Sequence, residues 1–283
     1  MTAFLKMHGL GNDFVVFDAR GSHLALDQRS ARALADRRFG VGCDQVIVIG
    51  AGRGTVDAVM RIYNADGGEV ESCGNATRCV ARLLMEETDR DRVVIDTPGG
   101  ALVCTDAGSS DITVDMGVPK FGWQDIPLLF EVKEGSPFRI VLHTAEHDGT
   151  EVDGVAVSVG NPHFVVPVPN AEIASVYELG SALERASAFP KRTNVEFISV
   201  LDKDRIRMRV FERGVGVTRA CGTGACASAV VAHRLGLTGR KVEVVLDGGV
   251  LVIEWRESDS HILMTGPATL AYKGDIDLGN YAA

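Results

Sequence analysis

Clustered positive charge is the plainest absence in this sequence. Its 29 Lys and Arg residues are outnumbered by 38 Asp and Glu, a formal net charge of −9. Nucleic acid and anionic membrane surfaces bind clustered cations, so neither is an expected partner. Long apolar runs are missing as well, since no stretch approaches the roughly 18 residues of a transmembrane helix. The opening Met1-Thr-Ala-Phe-Leu-Lys-Met-His-Gly has neither the apolar segment nor the cleavage site of a signal peptide, which makes a cytoplasmic address the expectation. There is no Cys-x-x-Cys, and no His stands close enough to the cysteine pairs to complete a zinc knuckle, so no metal site is expected. Gly9-Leu-Gly11 and Gly50-Ala-Gly-Arg-Gly do not continue into a phosphate-binding or dinucleotide fingerprint.

What remains is an ordinary globular composition over 283 residues, 46% hydrophobic and 24% charged, enough for one large domain or two medium ones. The six cysteines are Cys43, Cys73, Cys79, Cys104, Cys221 and Cys226. In a reducing compartment they are thiols, and in a chain this long they form no disulfide framework. A lone Cys is most often a small buried apolar residue, which is how Cys43, Cys79, Cys104 and Cys226 are read. Cys73 and Cys221 differ because the chain repeats itself around them.

The segment from Arg61 to Cys73-Gly74 lies over Arg209 to Cys221-Gly222 without a gap: Arg209 follows Arg61 by 148 positions, and Cys221 follows Cys73 by 148. Tyr63 matches Phe211 and Gly68 matches Gly216. Upstream, Gly11-Asn12-Asp-Phe14 resembles Gly160-Asn161-Pro-His-Phe164, and Gln45 to Ile49 parallels Asn194 to Ile198. Three segments in one order at nearly one offset imply a duplicated domain.

Local patterns agree. Arg205 to Phe211 alternates like a half-buried strand, and Lys241 to Trp255 reads as a hairpin turning at Asp247-Gly-Gly. Further short strands are expected at Val56–Tyr63, Arg92–Ile95, Asp111–Met116, Arg139–His143 and Val155–Val159. Asp27 and Asn170 are N-cap candidates, the second for a helix starting at Ala171. Two further helices begin just after Cys73 and Cys221. One carries Ala76, Cys79, Val80, Leu83 and Leu84 on a face; the other carries Ala225, Ala229, Ala232 and Leu235, with Gly236 placed to end it. The expected fold class is α+β, with two pseudo-symmetric, strand-rich, barrel-like domains, each around a central helix, and the active site in the cleft between them. The halves are residues 1–118 and 119–266, with 267–283 left to complete the first half or extend the second.

A thiol at a helix N-terminus meets unpaired N–H groups and the positive end of the dipole, both of which favour the anion. One such Cys would fit a thiol hydrolase or redox enzyme. Two, at equivalent places in duplicated domains, fit inversion of a tetrahedral carbon, where a base removes a proton from one face and an acid returns one to the other. Without a cofactor as electron sink, charge developing on the substrate carboxylate must be met by fixed donors, which two helix N-termini supply. The competing readings are a duplicated structural turn and a Cys73–Cys221 redox switch.

At these residues the chain resembles diaminopimelate epimerase. The matching pieces are Phe4 to Phe14, Gly42-Cys-Asp-Gln45, Tyr63-Asn64-Ala-Asp-Gly, Cys73-Gly74-Asn75-Ala-Thr-Arg78-Cys, Gly160-Asn161-Pro-His163-Phe, Thr193-Asn194-Val, Glu212-Arg213-Gly and Ala220-Cys221-Gly222-Thr223-Gly. The resemblance implies an isomerase independent of pyridoxal phosphate, with no cofactor, that interconverts LL- and meso-2,6-diaminoheptanedioate for lysine and peptidoglycan precursors. It further implies a homodimer. Carried across, Cys73 and Cys221 are the proton donor and acceptor, and His163 and Glu212 tune them. Gly74, Asn75, Gly222 and Thr223 bind the reacting carboxylate, while Asn12, Gln45, Asn64, Asn161, Asn194, Glu212 and Arg213 hold the rest of a double zwitterion. Proline racemase and hydroxyproline epimerase share the two-cysteine arrangement, but their flanking sequences differ, and the Asn64, Asn194 and Arg213 set suits a longer, two-ended substrate. Cys43, before Asp44-Gln45, adds a thiol expected near the site.

Overall fold

The computed structural model describes residues 1–22, 24, 26–71 and 73–281. Ser72, which precedes Cys73 in the repeat, lies outside them. The chain divides into two compact units: Met1–Asp115 together with the segment from Thr265 onward, and Met116–Met264.

The first unit holds β1 (Thr2–Gly9), β2 (Asn12–Asp18), α1 (Gln28–Ala35), β3 (Gln45–Ala51), β4 (Ala58–Asn64), β5 (Glu69–Val70), α2 (Gly74–Thr88), β6 (Arg92–Thr97), β7 (Gly100–Gly108) and β8 (Asp111–Asp115). The second holds β9 (Phe138–Leu142), β10 (Thr150–Ser158), β11 (Pro162–Pro167), α3 (Val176–Glu184), β12 (Asn194–Asp202), β13 (Arg205–Glu212), β14 (Gly216–Thr218), α4 (Gly222–Arg234), β15 (Lys241–Leu246) and β16 (Gly249–Trp255). In β17 (Ile262–Pro267) the chain passes back to the first unit, where β18 (Thr269–Ile276) pairs antiparallel with β1.

The same ladder appears in each unit. β2 runs parallel to β3 with Phe14 opposite Gln45, and β11 runs parallel to β12 with His163 opposite Asn194. β4 is antiparallel to β3 and parallel to β6; β13 is antiparallel to β12 and parallel to β15. A parallel neighbour needs a crossover, and the four crossovers are α1, α2, α3 and α4.

α2 packs against β1, β6, β7 and β8, so the sheet of the first unit curls around it. α4 packs against β10 to β13, β15 and β16. From Gly222 to Ala232 every residue of α4 is buried, so this helix has no solvent face, unlike the one-sided stripe its alanine spacing predicts. Small side chains make that possible, because strands approach a Gly/Ala helix from all sides. The outer helices cover separate cores. α1 closes a cluster with Phe17, Leu34, Val46 and Tyr63, and α3 closes one with Phe164, Phe189, Phe197 and Phe211. Gly154 is required here, since a Cβ would lie 2.5 Å from the Phe164 ring.

Three local expectations need correction. β13 is not half-buried: Ile206, Arg207, Met208, Val210 and Phe211 are all buried. The buried cation survives because its guanidinium donates to Glu172, Asp247 and the carbonyls of Met208 and Val245. Asn170 does accept from Glu172 N, but it opens only a single 3-10 turn, Ala171–Ile173, whose first N–H is tied to Ser199 Oγ. The α-helix starts afresh at Val176. β4 begins at Ala58 rather than Val56, because Asp57 takes the Val94 N–H with its side chain and Val56 closes a turn onto Arg53. Asp27 caps α1 as expected, accepting from Ser30 N at 2.8 Å.

Candidate active site

Cys73 and Cys221 are the N-cap residues of α2 and α4, both with extended backbones, φ −148° and −125°. Each carbonyl accepts the first helical N–H, from Thr77 and from Ala225. Gly74, Asn75, Gly222 and Thr223 therefore lie in the first turns, where backbone N–H groups have no intrahelical partner. Each half-site is built within one unit.

In the first, Cys73 is half-buried, with Sγ 3.9 Å from Asn12 Oδ1. That oxygen also accepts from Asn75 Nδ2 at 3.1 Å, and Asn12 Nδ2 donates to Asp44. Asn75 Oδ1 accepts from the fully buried Arg78, which also donates to Pro267 O. Gln45 and Asn64 stand opposite each other across the β3–β4 ladder and join through Gln45 Nε2 and Asn64 Oδ1 at 2.8 Å. Gln45 Oε1 is buried without a partner among the described residues, an acceptor left over for a ligand N–H. Asp44 and Arg78 were not singled out from sequence; both act by holding the amides that were.

In the second, Cys221 is 5% exposed. Its Sγ is 3.6 Å from Thr223 Oγ1, which also takes Asn161 Nδ2 at 3.4 Å. His163 and Glu196 are fully buried and joined at 2.7 Å through Nδ1 and Oε1, and His163 Nε2 is 2.9 Å from Asn161 Oδ1. Glu212 accepts from Thr218 and takes the Cys221 thiol as a hydrogen-bond partner. Arg213 is exposed, and its backbone is clamped by neighbours: Arg213 N donates to Asn194 Oδ1 and Gly214 N to the buried Glu184, both at 2.9 Å. Asn194 Nδ2 goes to Pro162 O, so this buried amide is committed to holding the loop that carries Arg213.

Electrostatics at Cys221 run against the expectation from its helix start. Burial raises this thiol well above its ordinary range, and the charges of Glu212 and Glu196 add to the effect; Thr223 and the Gly224 N–H oppose it more weakly. Desolvation outweighs what the helix start contributes. Glu212 is raised in turn, chiefly by burial of its carboxyl group, against the hydrogen bonds from Thr218 and Cys221. Cys43, Cys79 and Cys104 are buried thiols pushed up by desolvation to about 12. Cys43 packs under α1 beside Leu34 and Phe17, the buried apolar role read for it from the sequence.

Glu196 is a third residue the sequence did not single out. Its one signal is an acid among the apolar residues Val195, Phe197 and Ile198. Among the described residues no cluster of His, Cys, Asp or Glu is able to hold a metal ion, and no helix is long and apolar enough to cross a membrane.

The fold is shared with solved structures that include a probable proline racemase and a hydroxyproline epimerase. A probable proline racemase from Agrobacterium radiobacter K84 superposes with a TM-score of 0.70 over 100% of this chain and 94% of its own, at 15% identity. Sequence narrows the class. The profile of the diaminopimelate epimerase family matches residues 4–122 and 155–271. The diaminopimelate epimerase of Phenylobacterium zucineum is 48% identical over 96% of this chain and 97% of its own length. That of Erythrobacter litoralis is 47% identical over 99% of each. The chain belongs to the diaminopimelate epimerase family and is an isomerase.

Proposed function

We propose that this enzyme interconverts LL- and meso-2,6-diaminoheptanedioate by two-base proton transfer between Cys73 and Cys221. The observation that carries this reading is the pair of thiols at equivalent N-caps of a duplicated domain. One thiolate takes the α-proton from one face of the carbon as the opposite thiol donates its proton to the other face. In the reverse direction the roles exchange. The α-carbanion is stabilised through its carboxylate by the first-turn N–H groups of Gly74, Asn75, Gly222 and Thr223.

Cys221 supplies one indication of how the two thiols share their roles. Burial and the carboxyl groups of Glu212 and Glu196 hold the Cys221 thiol up, which favours Cys221 as the proton donor. His163 and Glu212 tune that state. Arg213, exposed on a clamped backbone, suits the distal carboxylate. Gln45 Oε1 suits an ammonium group, and Asn12, Asn64, Asn161 and Asn194 complete the polar frame or hold it. Each of the halves 1–118 and 119–266 supplies one of the two thiols. The same proposal includes a cytoplasmic address, favoured by a chemistry that needs both thiols reduced, a homodimer, and a place in lysine biosynthesis; the last two rest on the family resemblance.

Reduced enzyme in deuterium oxide should wash deuterium into the α-position of diaminopimelate and leave proline untouched. Cys73→Ala and Cys221→Ala should each lower epimerisation by about 10³-fold or more. Exchange and inversion surviving both substitutions would sink the two-thiol mechanism.

A further inference from the structure

Glu196 is a fully buried carboxylate whose Oε2 has no hydrogen-bond partner among the described residues. An acid in that position costs free energy unless it has work to do. Its other oxygen begins a continuous polar chain. Glu196 Oε1 meets His163 Nδ1 at 2.7 Å, and His163 Nε2 meets Asn161 Oδ1 at 2.9 Å. Asn161 Nδ2 then meets Thr223 Oγ1 at 3.4 Å, and Thr223 Oγ1 meets Cys221 Sγ at 3.6 Å. The space between acid and thiol is fully used: a Cβ on Gly224 would lie 2.8 Å from Glu196 Oε1 and 3.3 Å from Cys221 Sγ.

The direction of each bond in this chain follows from its ends. An amide oxygen faces His163 Nε2, so Nε2 must carry a proton. The proton on the Nδ1–Oε1 bond completes the pair, whether it rests on nitrogen as an imidazolium–carboxylate or on oxygen as neutral imidazole and acid. Both arrangements leave Nε2–H donating, Asn161 Oδ1 accepting, and the N–H groups of Asn161 turned toward Thr223 and the space beyond. The histidine is thereby kept from acting as a base at Nε2, the opposite polarity to a hydrolase triad.

We infer that Glu196 is a positioning residue of the reaction, fixing His163 as an Nε2–H donor so that Asn161 presents only N–H groups to Thr223 and to a substrate carboxylate. The inference rests on the epimerase reading for its kinetic half and on no substrate at all for its spectroscopic half. Glu196→Gln keeps a donor for Nδ1 through its amide and so preserves the Nε2–H tautomer. Glu196→Leu keeps the volume and removes the partner.

In ¹H–¹⁵N spectra of ligand-free protein labelled at histidine nitrogen, His163 should show a protonated Nε2 in the wild type and in Glu196→Gln, and lose it in part or wholly in Glu196→Leu. Turnover of diaminopimelate should follow the ring. Glu196→Gln should lose less of kcat than Glu196→Leu, because it keeps the Nε2–H tautomer and gives up only the charge that Glu196 places beside Cys221. Glu196→Leu should lose about 10- to 100-fold, mostly in kcat. A bare Nε2 in the wild type overturns the inference regardless of activity. So does a Glu196→Gln loss as large as that of Glu196→Leu, which would make charge rather than tautomer the working quantity. Unchanged kcat in Glu196→Leu overturns it too. Should Glu196→Leu fail to fold, the wild-type and Glu196→Gln spectra decide alone. Inactivity of wild-type enzyme on diaminopimelate would instead strike the epimerase reading and leave the tautomer result standing.

Discussion

Cys73 and Cys221 cap their helices with similar backbones, yet the groups around them differ in charge and depth. Beside Cys73 stands the amide of Asn12, itself bonded to Asn75, and the same helix carries the buried guanidinium of Arg78. Beside Cys221 the neighbours are the carboxyl groups of Glu212 and Glu196, and the thiol is nearly out of reach of water. The same N-cap geometry occurs twice, and in the second copy buried carboxyl groups raise the thiol. An enzyme that must hold one acid and one base at the same pH can build both from cysteine, because surroundings rather than residue type set the proton affinity.

One pair of aligned positions shows the divergence at atomic scale. Ala76 follows Cys73 by three residues, as Gly224 follows Cys221. The first helix accommodates a fully buried methyl group there, while in the second Glu196 occupies the space. Gly224→Ala should therefore push on Glu196 and Cys221 together, lowering kcat by about 10-fold or more and stability by about 1–3 kcal/mol. Ala76→Gly should cost about 1 kcal/mol of helix stability with activity retained. Equal tolerance of the two substitutions, measured by steady-state kinetics and thermal unfolding, would remove the asymmetry from this pair.

Alkylation tests the contrast at the sulfur atoms. With iodoacetamide at neutral pH, followed peptide by peptide in the mass spectrometer, the half-buried Cys73 should react at least about 10-fold faster than Cys221. Matched rates would mean that the carboxylates around Cys221 do not hold its proton.

A smaller effect belongs to the buried thiols of the first unit. Cys43, Cys79 and Cys104, all in the first unit, titrate at about 12 when folded and at about 9 when exposed. The unfolded chain then ionises first as pH rises, so their contribution is whole below about pH 9 and is lost between 9 and 12, at up to ~1.4 kcal/mol per pH unit for each. Cys104→Ala should make the alkaline decline of Tm shallower. On the acid side Asp13 behaves oppositely. Burial alone would raise its carboxyl, but hydrogen bonds from Arg37 and Lys6 hold it at about 2. That contribution is in place above about pH 4 and is lost as pH falls toward 2.

How far the site could be read in advance depended on what each residue leaves in the chain. The helix starts were legible because Cys-Gly followed by small, apolar-periodic residues recurs at one offset. The hairpin at Asp247-Gly248 and the Asp27 cap were legible because their signals are local. Arg207 and Glu196 were not. Both are charges in strands whose apolar neighbours gave no hint of where a counter-group would stand, and each counter-group comes from another strand or turn. The role of Asn194 also shifted on folding, since both ends of its amide are taken up by backbone groups.

The sequence alone determined that the domain is doubled, that each copy begins a helix with a cysteine, and that the family's motifs surround both. These are properties of order and spacing along one chain. Only the tertiary structure decided which thiol lies among buried carboxyl groups and which acid stands beside His163. A pKa depends on depth from solvent and on charges within a few ångströms. The parallel pairing of β11 with β12 brings Glu196 to His163 from 33 residues away, a distance that no local pattern spans.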